Sequence, residues 1–343
     1  MKINVKELKN ALSKVNKLID SNKIMEICKY VELLVSEGTL IITVTDKTYT
    51  ITSRVEVDTE EKLSKVVEGS KLVKLIKSLN SEFVEFNFKD KYLEIKSNGK
   101  YKLDYYNDEF PSYEIEPQEV MEVDAAVLQE IVAKHKGTPS TDLEVPVLTG
   151  YYLGEEVLTL DGTKMAITKD KLLSSELLIP ADLMEMVNLF EEEDLKIMVD
   201  DNKLLFDSDS LTIFGSQLYG IGDFPDLSTY KDASYENHAD IETAALKEVL
   251  NRIEIFTDPM GNKGLHLESD GEKLLLSDLK GKSKEELEVE GEGSFACNLV
   301  IDDLILFVKN TTSDTARLMC DGENLAFCLK DNETEYFTGK LVD

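Results

Sequence analysis

The chain contains no run of about 18 apolar residues, so no segment is fit to span a membrane. Its start, MKINVKELKN, lacks the apolar centre of a secretion signal, so the protein is expected to stay in the cytoplasm. Cysteine is scarce: Cys28, Cys297, Cys320 and Cys328 sit inside apolar runs without CxxC spacing, and read as reduced core residues rather than disulfides or metal ligands. Histidine is scarcer. His135, His238 and His266 stand far apart, none with a Cys, Asp or second His at ligand spacing, and His135 falls in the apolar register of its helix as a buried, satisfied residue. No GxxxxGK[ST] occurs, and the pairs Gly220/Gly222 and Gly291/Gly293 lie outside any strand-turn-helix phosphate context. The acidic runs Glu191–Asp194 and Asp207–Asp209 lack the glycine and distal glutamate of a calcium loop. These gaps argue against an enzyme, a metal site and a cofactor.

Basic charge is the remaining deficit, with 38 Lys and Arg against 68 Asp and Glu and a formal net charge of −30. Taken whole, such a surface repels phosphates. The distribution is uneven. The helix expected from Val5 to Asp20 carries Lys6, Lys9, Lys14 and Lys17, and that from Ser70 to Leu79 carries Lys71, Lys74 and Lys77 with no acid. The acids concentrate in turns and loops such as DTEEK, EEED, DSDS and SKEELEVEGE. One lysine-bearing helix face is ordinarily just a solvated surface.

What the chain has in plenty is repetition. From Ser70, an amphipathic helix with Leu72, Leu75, Ile76 and Leu79 at i, i+3, i+4, i+7 spacing is followed by three alternating strands, EFVEFNFK, YLEIKS and KYKLDYY, and by Phe110-Pro111-Ser112-Tyr113. The order recurs from Pro180: the helix PADLMEMVNLF, burying Leu183, Met186, Val187 and Phe190, then DLKIMVD, KLLFDS, SLTIFGSQLYG and Phe224-Pro225-Asp226-Leu227. It recurs again near Asn298 with NLVIDDLILFVKN, TARLMCD, a DGEN turn, LAFCLKD and EYFTGKLVD. A matching half-unit precedes each copy, the helices running Val5–Asp20, Asp124–Lys136 and Ile241–Ile255, with Asp124 and Asp240 placed to cap the latter two. EIEPQEVMEV and STYKDASYENHAD read as linkers. The expected division is three domains, 1–117, 118–232 and 233–343, of class α+β, each with two helices packed on antiparallel sheets.

This arrangement, with MKINVKELKNALSKV, EGTLIITVTDKTYTITSRVEV, the helix-to-FPSY block, LTLDGTKMAIT and SQLYGIGDFPDL in order, resembles the bacterial DNA polymerase III beta subunit, the sliding-clamp family, over essentially the whole chain. The resemblance implies a head-to-tail homodimer whose six domains form a ring, with twelve helices lining a hole that encircles double-stranded DNA irrespective of sequence. It implies polymerase and clamp-loader partners that bind through short linear motifs, roughly QLxLF. Enclosure resolves the charge conflict, because a closed ring holds DNA by topology and needs only a modest basic lining.

For DNA contact the resemblance implies Lys23 after the first helix, and Lys71 and Lys77, while Ser70 stands where the family often has arginine; the helix lysines Lys9, Lys14, Lys74, Lys134 and Lys136 are expected beside them. For the partner peptide it implies a pocket from Leu148, from Leu160, Gly162, Thr163, Lys164 and Met165, from Asn298 and Ile301, and from Leu341. LDGTKM replaces the family's usual TDGHRL and GKLVD its MPMRL-like ending, departures expected of a diverged member, as from a phage or mobile element, tuned to its own polymerase. Two other readings stand beside it: a monomeric clamp-like regulator that sequesters partner peptides or competes for the loader, and a hydrolase whose site is assembled across domains from scattered acids.

Overall fold

A computed structural model describes residues 1–20, 24–191, 193–231, 233, 235–257, 263–320 and 326–341. The elements follow the repeat. The first copy runs β1 (Lys2–Asn4), α1 (Val5–Val15), β2 (Tyr30–Ser36), β3 (Thr39–Thr45), β4 (Thr50–Glu56), then β5 (Leu63–Glu68), α2 (Gly69–Ser78), β6 (Phe83–Phe88), β7 (Tyr92–Lys96) and β8 (Lys100–Tyr106). The second runs β9 (Glu119–Asp124), α3 (Ala125–Lys134), β10 (Gly150–Leu153), β11 (Val157–Leu160), β12 (Lys164–Thr168), then β13 (Leu177–Pro180), α4 (Ala181–Glu185), β14 (Asp194–Asp200), β15 (Lys203–Asp207) and β16 (Leu211–Ser216), with the short α5 (Ser228–Lys231) after it. The third runs β17 (His238–Glu242), α6 (Thr243–Glu254), β18 (Gly264–Ser269), β19 (Lys273–Asp278), β20 (Lys284–Glu288), then β21 (Glu290–Glu292), β22 (Phe295–Val300), α7 (Ile301–Asn310), β23 (Thr315–Cys320), β24 (Ala326–Asp331) and β25 (Thr334–Gly339).

The chain folds as two compact units, residues 1–126 with 186–217, and residues 127–185 with 218–343. The first unit holds one antiparallel sheet in the order β1-β6-β7-β8-β5-β2-β3-β4-β16-β15-β14-β9. Its continuity depends on β4 pairing with β16, Ile51 opposite Ile213 and Thr52 opposite Thr212. The second unit holds the sheet β13-β10-β11-β12-β25-β24-β23-β17-β21 and the sheet β20-β19-β18-β22. There β12 pairs with β25, Ala166 opposite Tyr336 and Met165 opposite Phe337.

Local chemistry sets the helix ends. The Asn4 side chain accepts from the backbone N–H of Lys6 at 2.9 Å and of Glu7 at 3.3 Å, capping α1, and Val5, Leu8, Leu12 and Val15 form its buried stripe. Asp124 caps α3 as expected, accepting from Ala126 N at 2.8 Å. Asp240 does not cap α6. It lies inside β17 and is held by two Arg317 hydrogen bonds of 2.7 Å, because the period-two pattern HADIE continues the strand to Glu242. In α2 the fully buried positions are Leu72, Val73 and Ile76 with Leu79 just beyond, while Leu75 is half-buried. Gly69 opens α2 where a Cβ would come 2.8 Å from Val31, so only glycine fits.

The helix expected over Pro180–Phe190 is shorter: α4 spans five residues and Met186–Leu189 continues as a tighter 3₁₀ turn. Glutamates at 191–193 would stand at the negative end of a longer helix dipole with no base in its last turn, which disfavours extension. Leu183, Met186, Val187 and Phe190 are nonetheless all buried. Around α6 and α7 the core gathers Leu246, Val249, Leu250, Leu304 and Phe307 against Leu267, Leu276, Leu318 and Leu329, all under 2% exposed. Each contributes on the order of 1.5–3 kcal/mol of transfer free energy.

Candidate functional site

Both faces of the β10–β12 and β23–β25 region are covered, and this double burial builds the site. Ala166 and Tyr336 point into the helix-side core, while their neighbours Met165, Ile167, Cys328 and Phe337 join Leu148, Leu158, Leu160 and Leu227 in a second apolar cluster. Tyr152, Phe224 and Tyr230 edge it, half-buried. Two clefts border the cluster. One of about 450 Å³ is lined by Tyr230, Tyr235, Met319 and Phe337 with Lys169 and Lys330; the other, about 280 Å³, is lined by Tyr152, Leu158, Phe224 and Leu227 with Glu176 and Lys231. Apolar floors with a few polar rim groups are what a peptide's hydrophobic anchors require. Burial, then a hydrogen bond to the Glu176 carboxylate, pushes the Tyr152 phenol up to about 12, so it stays a neutral donor.

The β11–β12 turn gives the rim its shape. Asp161 Oδ1 accepts from Thr163 N, Thr163 Oγ1 and Lys164 N, each at 2.9 Å, and its other oxygen pairs with the Lys164 ammonium. Burial pushes the Asp161 carboxyl up, but the bonds from Lys164 and Thr163 outweigh it and hold the group below the usual carboxylate range. Gly162 sits at φ +98, a conformation glycine adopts without strain. Gly339 N donates to Thr163 O at 3.2 Å, tying the turn to the end of β25, and Thr338 Oγ1 donates to Asp303 Oδ2 at 2.7 Å. Burial pushes the Asp303 carboxyl up.

Of the residues expected in the peptide pocket, Leu148, Leu160 and Met165 lie together in the apolar cluster, and Gly162, Thr163 and Lys164 form the turn beside it. Ile301 is 0% exposed in the helix-side core, where it offers no surface to a ligand. Asn298 lies on β22, its Oδ1 2.8 Å from His266 Nδ1 and its carbonyl accepting from Leu341 N at 2.7 Å, so Asn298 and Leu341 meet each other. Sequence reasoning missed Leu158, Ile167, Cys328 and Phe337. Ile167 was within reach, two residues beyond Met165 on one strand face; Phe337 and Cys328 enter only through strand pairing.

The lysines separate into free and occupied groups. In the first unit Lys74 and Lys77 are exposed on α2, and Lys71 is exposed but paired to Glu68 at 2.5 Å, a bond and charge that raise its pKa. Lys9 donates to the Leu79 carbonyl at 2.6 Å, closing the C-terminal end of α2. Lys14 has a side chain only 9% exposed and pairs with Glu191 at 3.2 Å. In the second unit Lys134 is likewise mostly buried and held by Glu130 at 2.6 Å, whereas Lys136 is exposed. Lys23 lies outside the described residues.

His135 is fully enclosed, its ring nitrogens 2.9 Å from Thr159 Oγ1 and 2.8 Å from Thr168 Oγ1. Burial, helped by the Lys134 charge, lowers its pKa to about 3, so it is a neutral strut between α3 and the strands that carry Leu160 and Met165. All four cysteines are buried thiols. No cluster of His, Cys, Asp or Glu fit to hold a metal ion is found among the described residues, and no helix among them is long and apolar enough to cross a membrane.

Comparison with known proteins returns one consistent family. Residues 1–115 match the N-terminal domain of the DNA polymerase III beta subunit. The beta sliding clamp of Staphylococcus aureus is 22% identical over 308 residues, covering 83% of this chain and 81% of that protein. Among solved structures, a sliding clamp from Pseudomonas aeruginosa bound to griselimycin superposes with a TM-score of 0.91 at 16% identity, covering 100% of this chain and 99% of that one. The DNA polymerase sliding clamp of Bacillus subtilis gives 0.89 at 17% identity, covering 100% and 98%.

Proposed function

We propose that this chain, which belongs to the DNA polymerase III beta-subunit or sliding-clamp family, is a replication processivity factor that encircles duplex DNA as a head-to-tail homodimer and tethers a polymerase. It is an accessory subunit and not an enzyme. The reading divides it into three domains, 1–117, 118–232 and 233–343, working in the cytoplasm.

The observation that carries the reading is the recurring junction in which the fourth strand of one copy pairs with the last strand of the next, β4 with β16 and β12 with β25. A module that joins its successor this way is suited to building a closed ring from repeated parts. The ring needs little phosphate-contact energy, which accords with a net charge of −30. Lys71, Lys74 and Lys77, with Lys9 and Lys136, provide the DNA-facing charge; Lys14 and Lys134 are spent on Glu191 and Glu130.

The two clefts beside Leu227 and Phe337 are the docking site for a linear motif with two hydrophobic anchors, carried by the polymerase and the clamp loader, with the Asp161–Lys164 turn as rim. Isothermal titration of a QLxLF-type peptide tests this. Binding to the wild type that is lost in Met165→Glu is expected, and equal binding by both proteins would overturn the site.

A further inference from the structure

The two clefts beside Leu227 border one apolar cluster but carry rims of opposite charge. The larger, about 450 Å³, lies over β23–β25, and its rim holds Lys169, Arg317 and Lys330 with Asp240 and Glu335. The smaller, about 280 Å³, lies over β10 and β11, and its rim holds Glu155, Glu156, Glu176 and Asp226. Lys231 lines both and pairs with Glu156. Strand register explains the basic rim. Asp240, Arg317, Lys330 and Glu335 stand in one row across β17, β23, β24 and β25, each directly opposite the next. Arg317 gives Asp240 two hydrogen bonds of 2.7 Å, a fork that matches a carboxylate. Lys330 reaches the other way, 3.2 Å from Glu335 Oε1, and Lys169 approaches the same oxygen at 3.1 Å. Two ammonium groups thus share one carboxylate. Like charges also stand directly opposite in the Arg317–Lys330 pair, an arrangement that repels. The Lys169 and Lys330 side chains are 41% and 42% exposed, and an ammonium has three donors, so each has room for a further acceptor.

In the smaller cleft, hydrogen bonds hold the carboxylates without cancelling their charge. Asp226 accepts from Ser228 N at 2.9 Å and from Ser228 Oγ at 3.1 Å, and Glu176 accepts from the Tyr152 phenol. Glu155 pairs with Lys171, but its side chain is 78% exposed and solvent screens the pair. We infer that the segment docking here is electrically polarised, with basic residues before its hydrophobic core and acidic residues after it. The inference rests on the proposed peptide site and names the partner's flanking chemistry.

Cleft size sets the direction. In a motif of the QLxLF type the Leu-Phe end is the bulkier, so it fills the larger cleft and the first leucine fills the smaller. Residues that follow the phenylalanine then meet Lys169 and Lys330, and residues that precede the motif meet Glu155 and Glu176. An acid placed between Arg317 and Lys330 relieves their mutual repulsion. A reversed segment sets acid against glutamate and base against lysine, which discriminates against it. The chain carries a net charge of −30, so an acidic tail is repelled by most of its surface and is received at the basic rim.

Three peptides with one QLSLF core test this on the full chain by isothermal titration: Arg-Arg before and Asp-Asp after, the reverse, and serine on both sides. At low salt the Arg-first peptide should bind about fivefold tighter than the serine peptide and the reversed one about fivefold weaker, the scale of a few half-exposed charge pairs. High salt should bring all three together. Lys169→Gln with Lys330→Gln should at least halve the Arg-first advantage, taken as the ratio to the serine peptide so that any general loss of the site cancels. Glu155→Gln with Glu176→Gln should do the same from the other end, the glutamine still accepting from Tyr152. Lys47→Gln with Lys196→Gln, both in the first unit, should leave the ratio at about fivefold. Equal binding of the three peptides at low salt, tighter binding of the reversed one, or an advantage that survives both cleft pairs overturns the polarity and leaves the peptide site standing. If none of the three peptides binds, the site itself falls and the polarity with it.

Discussion

Acidification should reveal His135 directly. In the folded chain burial holds its pKa near 3, while in the unfolded chain it returns to about 6.5. Below pH 6.5 the unfolded state therefore binds a proton that the folded state refuses, and stability falls with pH at about 1.4 kcal/mol per unit between roughly pH 6 and 4. From pH 7 to 4.5 that amounts to about 2.5–3 kcal/mol, a large part of the ~5–15 kcal/mol that keeps a domain folded. Asp161, Asp278 and Glu191, whose pKa values are lowered in the fold, also lose stabilisation as pH falls, so the His135 contribution must be taken as a difference. His135→Asn, which retains a donor and an acceptor for Thr159 and Thr168, removes the titration and lowers stability at pH 7.5 by about 1–3 kcal/mol through lost volume. Urea unfolding at pH 7.5, 6, 5 and 4.5 should show the two stabilities converging as pH falls. Parallel curves would refute the assignment of a buried neutral histidine.

Gly162→Ala meets no atom within 4 Å, so its cost comes only from φ +98, about 1–2 kcal/mol by urea unfolding; a larger weakening of peptide affinity than of stability would place the turn at the bound motif. Phe337→Ala empties a site 1% exposed and should cost about 3–5 kcal/mol in the second unit, measured by thermal unfolding. Lys74→Glu with Lys77→Glu should shorten the lifetime on circular DNA at low salt without altering the dimer in sedimentation. Unchanged lifetimes would remove α2 from the DNA-facing surface.

The sequence made α1 and α2 legible because one apolar stripe and one cap specify a helix locally, as at Leu8, Leu12 and Asn4. It made His135 legible through its place in a buried register. Asp240 was misread as a cap because an acid before an apolar-periodic run also fits the end of a strand, and its Arg317 partner lies 77 residues away. Lys14 and Lys134 were expected among the DNA-contact lysines, and their ion pairs were not legible because the periodicity of a helix does not disclose which acid covers it; Glu191 approaches Lys14 from 177 positions further on. The apolar cluster proposed as the peptide floor was legible at Leu160 and Met165 and not at Phe337, whose neighbour across the ladder is fixed by long-range pairing.

Enclosure of DNA is the central claim, and topology tests it most directly. The protein loaded by its clamp loader onto nicked circular DNA should co-elute with the plasmid in gel filtration at high salt, and should be released when a restriction enzyme linearises the circle. Retention that is the same on circular and on open-ended linear DNA, or absent from both, would contradict the account.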